Sequence, residues 1–227
     1  VEEYEKALTC DPINTWLSCD IETPYSKDID EEDKDAKDSS WTIERISFSF
    51  RKGHAITMPW TEPFIGLSKR MLSSGGTIIG WNINKFDKQR LEKNGCILNG
   101  TIIDGMDAFH FLYSDIPRGL GYATPFFTNY KPWKHLAATN MPFYSCMDAV
   151  AALENVIAIR QRLEKDHLWD VFLRDFVNLE PTLQALTKTG IGIDIQKQEE
   201  LRQHYINLRD NGNAIIQSLV PDDIKPV

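Results

Sequence analysis

The chain has 227 residues, of which 42% are hydrophobic and 26% are charged, and its formal net charge is −8. This composition is typical of a folded globular protein and excludes a disordered or fibrous chain. The negative charge argues against non-specific nucleic-acid binding through a basic surface, although an acidic site could still bind nucleic acid through metal ions.

The first half of the chain alternates between strand and helix patterns. Strands are predicted at 14–22, at 43–50 with a hairpin partner at 53–60, at 77–82 and at the start of 101–112; helices are predicted at 63–74, at 86–95 and in the rest of 101–112. From Pro132 onward helical patterns dominate, at 132–139, 144–166, 179–190 and 197–219. We therefore predict an α/β fold with a mixed central sheet flanked by helices and a C-terminal helical extension.

Two long segments carry no regular pattern. Residues 25–40 are dense in charge and predict a surface loop. Residues 114–133 are rich in Gly, Pro and aromatic side chains, and a loop of this length indicates a lid or a binding surface. Its aromatic side chains either pack under the loop or stack on bases, and the sequence favours neither interpretation.

No apolar run approaches the length of a membrane span, and we expect neither a membrane-spanning helix nor a leader peptide. The four cysteines, Cys10, Cys19, Cys96 and Cys146, form no C-x-x-C pair. We therefore expect reduced thiols in a reducing compartment and neither a zinc site nor a disulfide framework.

Carboxylates follow several of the predicted strands. Asp20 and Glu22 lie one residue apart on the first strand, so both point to the same side and repel each other unless a cation lies between them. Asp87 follows a buried strand at the entrance to the next helix, and Tyr144 and Asp148 share one face of a later helix. If these groups converge, their oxygen-rich pocket suits Mg²⁺ or Mn²⁺ better than zinc.

Each of these features also has an ordinary structural explanation. The paired acids could be a solvated strand end, Asp87 could interact only with the dipole of its helix, and Tyr144 could be a core residue beside a surface Asp148. Their joint occurrence in one order along the chain favours a shared site.

Three segments carry a family resemblance. Asp20-Ile21-Glu22-Thr23, the segment from Asn82 to Phe86-Asp87, and Tyr144-x-x-x-Asp148 resemble the three motifs of the DEDD 3′–5′ exonucleases. The Tyr four residues before the last Asp resembles the DEDDy subclass, which includes the proofreading domains of family A (DNA polymerase I-like) polymerases. The spacing of the second motif also resembles phage-type polymerases, and either Asn82 or Asn84 would take the place of the family's Asn. The resemblance covers about residues 13–165 and implies a ribonuclease H-like fold.

The C-terminal part resembles the start of a polymerase domain. Thr189-Gly190 and Ile193-Asp194 match the step at which family A polymerases leave the exonuclease domain. We therefore predict a DEDDy exonuclease domain over residues 1–165 and, over residues 166–227, a helical segment that begins a truncated polymerase domain.

The resemblance implies a proofreading exonuclease that removes nucleotides from single-stranded or frayed DNA 3′ ends with two divalent cations, Mg²⁺ or Mn²⁺. Asp20, Glu22, Asp87 and Asp148 would be the metal ligands, and Tyr144 would orient the attacking water. Substrate contacts are expected from Thr23, Tyr25, Asn82, Phe86, Tyr130 and Lys131, with Tyr122, Phe126, Phe127 and Lys134 as further contributors.

The expected partners are a single-stranded DNA 3′ end and, in cis, the remainder of a polymerase chain. The protein is expected to be a monomer that does not bind a membrane, in the cytoplasm of a bacterium or of an infected host cell. Two other functions stay open: an RNA-trimming DEDDy exoribonuclease, and a catalytically silent nucleic-acid-binding module.

Overall fold

The computed structural model describes residues 1–11, 15–24, 41–221 and 224. These residues belong to two compact units, Val1–Glu180 and Pro181–Val227. No helix among them is both long enough and apolar enough to cross a bilayer. The predicted surface loop at 25–40 lies outside the described residues.

A mixed sheet forms the centre of the first unit, as predicted. Its strands are β1 (Trp16–Glu22), β2 (Arg45–Arg51), β3 (His54–Pro59), β4 (Thr77–Gly80) and β5 (Thr101–Asp104). They lie in the order β3-β2-β1-β4-β5, so β1 is the central strand. It pairs antiparallel with β2 and parallel with β4, while the β2–β3 hairpin turns at Gly53, whose φ of 69° is one that glycine adopts without strain.

Helices cover both faces of this sheet. They are α1 (Glu2–Cys10), α2 (Phe64–Ser73), α3 (Asp87–Lys93), α4 (Gly105–Leu112), α5 (Leu120–Ala123), α6 (Met141–Lys165) and α7 (Trp169–Phe172), followed by a π-helical turn at Leu173–Val177. Two short 3₁₀ helices, Thr124–Phe126 and Lys134–Leu136, lie in and just after the irregular segment at 114–133. The sequence patterns did not indicate α1.

The predicted helix at 132–139 is wrong, because only the 3₁₀ turn at Lys134–Leu136 forms there. The Leu136 carbonyl accepts hydrogen bonds from the backbone N–H groups of Thr139 and Asn140, which closes the turn. Asn140 then begins α6, since its side chain accepts a hydrogen bond from the Phe143 N–H. The next helix thus begins at Met141, three residues before the predicted start at 144.

Side chains of β1 alternate between two cores. Leu17, Cys19 and Ile21 are buried in a cluster with residues of α1, α2 and α3. Trp16 points to the opposite face, into a cluster formed largely by α4 and α6. Because side chains alternate along a strand, Asp20 and Glu22 share the face of Trp16 and lie toward α6.

Small side chains allow α6 to lie close to the middle of the sheet. Ser18 and Ser47 are buried on β1 and β2, and Ser145, Ala149 and Ala152 are buried on α6. The hydroxyl groups of Ser47 and Ser145 are hydrogen-bonded to each other across this contact. The close approach fixes the start of α6, which carries Tyr144 and Asp148, above the end of β1.

The second unit consists of helices. It contains most of α8 (Glu180–Thr189) and all of α9 (Ile195–Leu219), whose N-terminus is capped by the Asp194 side chain. None of its described residues is buried. Residues 166–180, which the sequence prediction grouped with the C-terminal segment, lie in the first compact unit, where Phe172 is part of the core with α6.

Candidate metal and active site

The end of β1 and the first turns of α6 bring three carboxylates together. One oxygen atom from each of Asp20, Glu22 and Asp148 lies within 4.8 Å of those of the other two. The short separation follows from the alternation of β1 and from the close packing of α6 on the sheet. Three acids from two elements therefore form one cluster.

Asp87 lies beside this cluster but is not one of its three members. It is the first residue of α3 and is buried, and its Oδ1 accepts a hydrogen bond of 2.9 Å from the Ile21 backbone N–H. The parallel register joins β4 to β1 only through Trp16–Ser18, so Ile21 extends beyond the paired part of β4. The Asp87 side chain thus gives the Ile21 N–H the hydrogen bond that a neighbouring strand would otherwise provide. Ile21 lies between Asp20 and Glu22, so this contact holds Asp87 next to both acids.

Burial is the largest cause of the raised pKa values of Asp20, Glu22 and Asp87. Burial raises the pKa of Asp20 well above its ordinary value, and the negative charges of Asp148, Glu22 and Asp87 raise it further. Burial also raises the pKa of Glu22 to about 7, with a contribution from Asp148. For Asp87, burial outweighs the hydrogen bond from Ile21 and raises the pKa to about 8. Each shift disfavours the ionised acid unless positive charge is supplied.

Two buried oxygen atoms in the cluster have no hydrogen-bond partner. They are Oδ2 of Asp20 and Oε1 of Glu22. An unpaired buried carboxylate oxygen is unfavourable, and it becomes favourable when the oxygen binds a proton or a cation. Because all the donor atoms are carboxylate oxygens, the residues fit a hard divalent cation such as Mg²⁺ or Mn²⁺.

Asp148 differs from the other two acids because both of its oxygens are engaged. Its Oδ1 accepts a hydrogen bond of 2.6 Å from the indole Nε1 of Trp133, which is buried. Its Oδ2 lies 2.7 Å from the ammonium of Lys134. That ammonium also donates a 3.2 Å hydrogen bond to the hydroxyl of Tyr144. Trp133 was not predicted for the site, because nothing in an irregular segment shows which of its aromatic side chains turns inward.

Tyr144 projects from α6 next to the carboxylates, as the helical spacing predicts. Burial raises the pKa of its phenol above the ordinary value, and the negative charges of Asp148, Glu22 and Asp20 add to this effect. The hydroxyl therefore stays protonated at neutral pH and can both donate and accept a hydrogen bond.

Sequence reasoning missed Asp104, the last residue of β5. Its carboxylate accepts hydrogen bonds from the backbone N–H groups of Asn82 (2.9 Å), Asn84 (3.2 Å) and Met106 (3.0 Å). It therefore fixes the turn between β4 and α3, where Asn82 has a φ of 65°, and it also caps α4. The signal that singled out Asp20, a carboxylate at the end of a buried strand, applies equally to Asp104.

The other predicted substrate contacts are spread over several elements. Thr23 directly follows β1 and is half-buried, whereas Tyr25 lies outside the described residues. Phe86 immediately precedes α3, and its ring centre lies 3.8 Å from the guanidinium carbon of Arg90. Asn82 holds its side-chain Oδ1 buried without a hydrogen-bond partner.

The irregular segment places its aromatic and basic residues in different surroundings. The Tyr130 hydroxyl donates a 2.6 Å hydrogen bond to Glu154 of α6, and Lys131 is exposed. Tyr122 and Phe126 are 46% and 50% exposed, and their ring centres lie 5.8 Å apart. Phe127 instead packs edge-on against Phe109 of α4. Part of the segment packs into the core and part offers aromatic surface to solvent.

No model of a known protein family matches this sequence, and no curated protein matches it either. Several solved structures do share its fold. The POL domain of Pol1 from M. smegmatis, in complex with a DNA primer-template and dNTP, has a TM-score of 0.67 and 14% identity, with 93% of this chain and 35% of that chain covered. The present chain thus spans about a third of that polymerase chain.

Two smaller proteins are matched over most of their own length. NrnC from Brucella melitensis bound to pGG has a TM-score of 0.53 and 18% identity, covering 78% of this chain and 86% of that one. The EXO domain of Nibbler from Aedes aegypti has a TM-score of 0.50 and 12% identity, covering 79% and 91%. Together with the mixed sheet and its flanking helices, these likenesses identify the architecture as a ribonuclease H-like fold.

Proposed function

We propose that this protein is a metal-dependent 3′–5′ exonuclease that removes nucleotides from single-stranded or frayed DNA 3′ ends. The observation that carries the proposal is the convergence of Asp20, Glu22 and Asp148, with oxygen atoms within 4.8 Å of one another and two of the buried oxygens unpaired. Such a cluster is unfavourable as it stands and becomes favourable when cations bind.

The residues have distinct roles in this proposal. Asp20, Glu22 and Asp148 bind the cations, and Asp87 contributes a carboxylate from the start of α3. Bound divalent cations would lower the pKa of a water molecule and neutralise charge on the scissile phosphate. The Tyr144 hydroxyl, which stays protonated, orients the attacking water by a hydrogen bond.

We further propose that the chain is the proofreading part of a polymerase of the DNA polymerase I type, with the remainder of that polymerase as its partner in cis. The fold likeness to the Pol1 domain supports this context, since it covers 93% of the chain, whereas the NrnC and Nibbler likenesses cover 78% and 79%. The competing proposal is an RNA-trimming exoribonuclease, and the fold likeness to NrnC bound to pGG supports it.

A cleavage assay on matched 5′-labelled DNA and RNA oligonucleotides tests the proposal. With Mg²⁺ or Mn²⁺ the protein should shorten single-stranded DNA one nucleotide at a time, and a chelator should stop the reaction. Asp20→Asn should reduce the rate by more than about a hundredfold, because even the neighbours of metal ligands are often worth 10–100-fold.

Asp115→Asn serves as the matched control, since Asp115 is an exposed acid in the segment between α4 and α5. It should cleave at the wild-type rate. Cleavage of RNA in preference to DNA would support the RNA-trimming alternative. Undiminished DNA cleavage by Asp20→Asn, or the absence of metal-dependent cleavage in the wild type, would contradict the proposed site.

A further inference from the structure

Lys134 holds an unusual position among the acidic side chains. Its ammonium lies 2.7 Å from Oδ2 of Asp148 and 3.2 Å from the hydroxyl of Tyr144. The Lys134 side chain is 43% exposed, whereas that of Asp148 is only 6% exposed. The lysine thus enters from solvent and places its positive charge on one oxygen of a carboxylate that the proposed function needs for a cation.

The backbone fixes Lys134 firmly at this place. The preceding residue, Trp133, is buried and donates its indole N–H to the other oxygen of Asp148. The 3₁₀ turn at Lys134–Leu136 is joined to the N-terminus of α6 by hydrogen bonds from Thr139 and Asn140 to the Leu136 carbonyl. The long lysine stem therefore starts from a defined point and can swing only at its flexible end.

We propose that the Lys134 ammonium is an internal substitute for the metal at Asp148, which a divalent cation must displace from Oδ2. An ammonium 2.7 Å from this oxygen occupies the space in which a cation would coordinate the same atom. Displacement leaves the ammonium close to the Tyr144 hydroxyl, at the side of the site open to solvent. This inference rests on the proposed function, because it assumes that Asp148 is a metal ligand.

A role for Lys134 in positioning Asp148, instead of competing with the metal, predicts the opposite change in metal affinity. If the lysine only held Asp148 in the orientation needed for metal binding, its removal would weaken metal binding. If it competes with the metal, its removal strengthens metal binding, because the carboxylates then lose a competing cation and keep all of their negative charge. A gain of affinity is also an effect that damage to the fold does not produce.

Direct titration of the full chain with Mn²⁺, followed by calorimetry or by the electron paramagnetic resonance signal of free Mn²⁺, distinguishes the two roles. Lys134→Met keeps the length of the side chain and removes its charge. We expect its dissociation constant for Mn²⁺ to fall by at least about fivefold, since removal of one adjacent positive charge stabilises a bound cation. The rise in melting temperature on addition of Mn²⁺ should also be larger than in the wild type.

Two further variants complete the experiment. Lys134→Arg retains the charge and should bind Mn²⁺ with nearly the wild-type affinity. Lys165→Met removes a positive charge at the C-terminal end of α6, far along the helix from Asp148, and should also leave Mn²⁺ affinity unchanged. Thermal unfolding in chelator checks that all three variants are folded, and Lys134→Gln replaces Lys134→Met if the latter is not.

The outcomes separate this inference from the proposed function. If the wild type binds Mn²⁺ and cleaves DNA but Lys134→Met binds Mn²⁺ no more tightly, the competition is refuted and the exonuclease proposal stands. If neither the wild type nor any Lys134 variant binds Mn²⁺, the metal site itself is refuted. If Lys134→Met binds Mn²⁺ more tightly than the wild type, while Lys134→Arg and Lys165→Met do not, the competition between the lysine and the metal is supported.

Discussion

Asp20 and Asp148 belong to one carboxylate cluster, in which Asp148 is buried and Asp20 is half-buried, yet the groups around their oxygens differ. Asp148 has an indole N–H and an ammonium as partners, whereas Oδ2 of Asp20 has no hydrogen-bond partner. Without metal, the ionised form of Asp20 is therefore unfavourable. The negative charges of Asp148, Glu22 and Asp87 repel it, and burial together with this repulsion outweighs the attraction of the Lys134 ammonium.

Replacing Asp20 by Asn should therefore stabilise the protein in the absence of metal. The amide removes one repelling charge, and we expect the free energy of unfolding at pH 8 to rise by about 1 kcal/mol or more, since one unit of pKa shift corresponds to 1.36 kcal/mol. Urea denaturation in chelator measures the change. Asp148→Asn is the comparison: it loses the ion pair with Lys134 and should be less stable than the wild type, so a stabilised Asp148→Asn would contradict this account.

The dependence of stability on pH follows from the raised pKa values of Glu22 and Asp87. Burial raises them to about 7 and about 8, from ordinary values of 4.5 and 3.8. Between the ordinary and the raised pKa values, these two acids bind more protons in the folded protein than in the unfolded chain. The free energy of unfolding in chelator should therefore fall as the pH rises from about 4 to about 8. Urea denaturation at several pH values measures this slope.

Glu22→Gln provides the control for that slope, because the amide does not titrate. Its stability should depend less steeply on pH than that of the wild type between about pH 4.5 and 7. Saturating Mn²⁺ should flatten the wild-type slope as well, since the cation replaces the protons on the carboxylates. Equal slopes for the wild type and Glu22→Gln in chelator would argue against a raised pKa at Glu22.

Among the elements, the β4–α3 turn depends on a single side chain. Asp104 accepts hydrogen bonds from three backbone N–H groups, two in the turn and one at the start of α4. The turn leads directly into Asp87, the first residue of α3. Asp104 thus sets the geometry of a segment that carries part of the proposed site without belonging to the carboxylate cluster itself.

Asp104→Ala should lower the free energy of unfolding by about 2–4 kcal/mol, because it removes a helix cap and leaves buried N–H groups unpaired. Asp104→Asn should have a smaller effect, since the oxygen of its amide can still accept the two hydrogen bonds that Oδ1 accepts in the wild type, from Asn82 and Met106. Urea denaturation of the two variants gives the comparison. An alanine variant as stable as the wild type would show that these hydrogen bonds contribute little.

Sequence periodicity predicted the helices and strands that carry the site residues. It predicted the contacts between those elements less reliably. The alternation of β1 and the spacing of Tyr144 and Asp148 depend on local geometry, so the sequence shows on which faces these side chains lie. The pairing of Asp148 with Trp133 and Lys134 depends on how an irregular segment folds back. The predicted helix at 132–139 was wrong as well, because only the three-residue 3₁₀ turn Lys134–Leu136 forms at the end of that irregular segment.

At the scale of the whole molecule, the two compact units differ in what they bury. Val1–Glu180 contains the sheet and the hydrophobic clusters on both of its faces. The described residues of Pro181–Val227 include none that is buried, although several large apolar side chains such as Ile191 and Leu219 are exposed there. A helical unit without buried apolar surface gains little stability from its own packing.

A fragment of residues 1–180 should therefore unfold cooperatively and should still be stabilised by Mn²⁺, because the cores and the carboxylate cluster lie within it. A peptide of residues 181–227 should show partial helicity that decreases gradually on heating, without a cooperative transition. Circular dichroism during thermal unfolding tests both fragments. Failure of the 1–180 fragment to unfold cooperatively would contradict the assignment of all essential core contacts to these residues.

The hydrogen bond from the Ile21 amide to Asp87 makes the central strand sensitive to the ionisation state of an acid beside the carboxylate cluster. Binding of a proton or of a cation to Asp87 changes the charge on its carboxylate and therefore the strength of the hydrogen bond that the Ile21 N–H donates to it. Ile21 lies between Asp20 and Glu22 on the central strand, so its amide resonance in a nuclear magnetic resonance spectrum is a native reporter of ionisation and cation binding. Occupancy of the site could thus be followed in the intact protein from one backbone signal, with no substrate present.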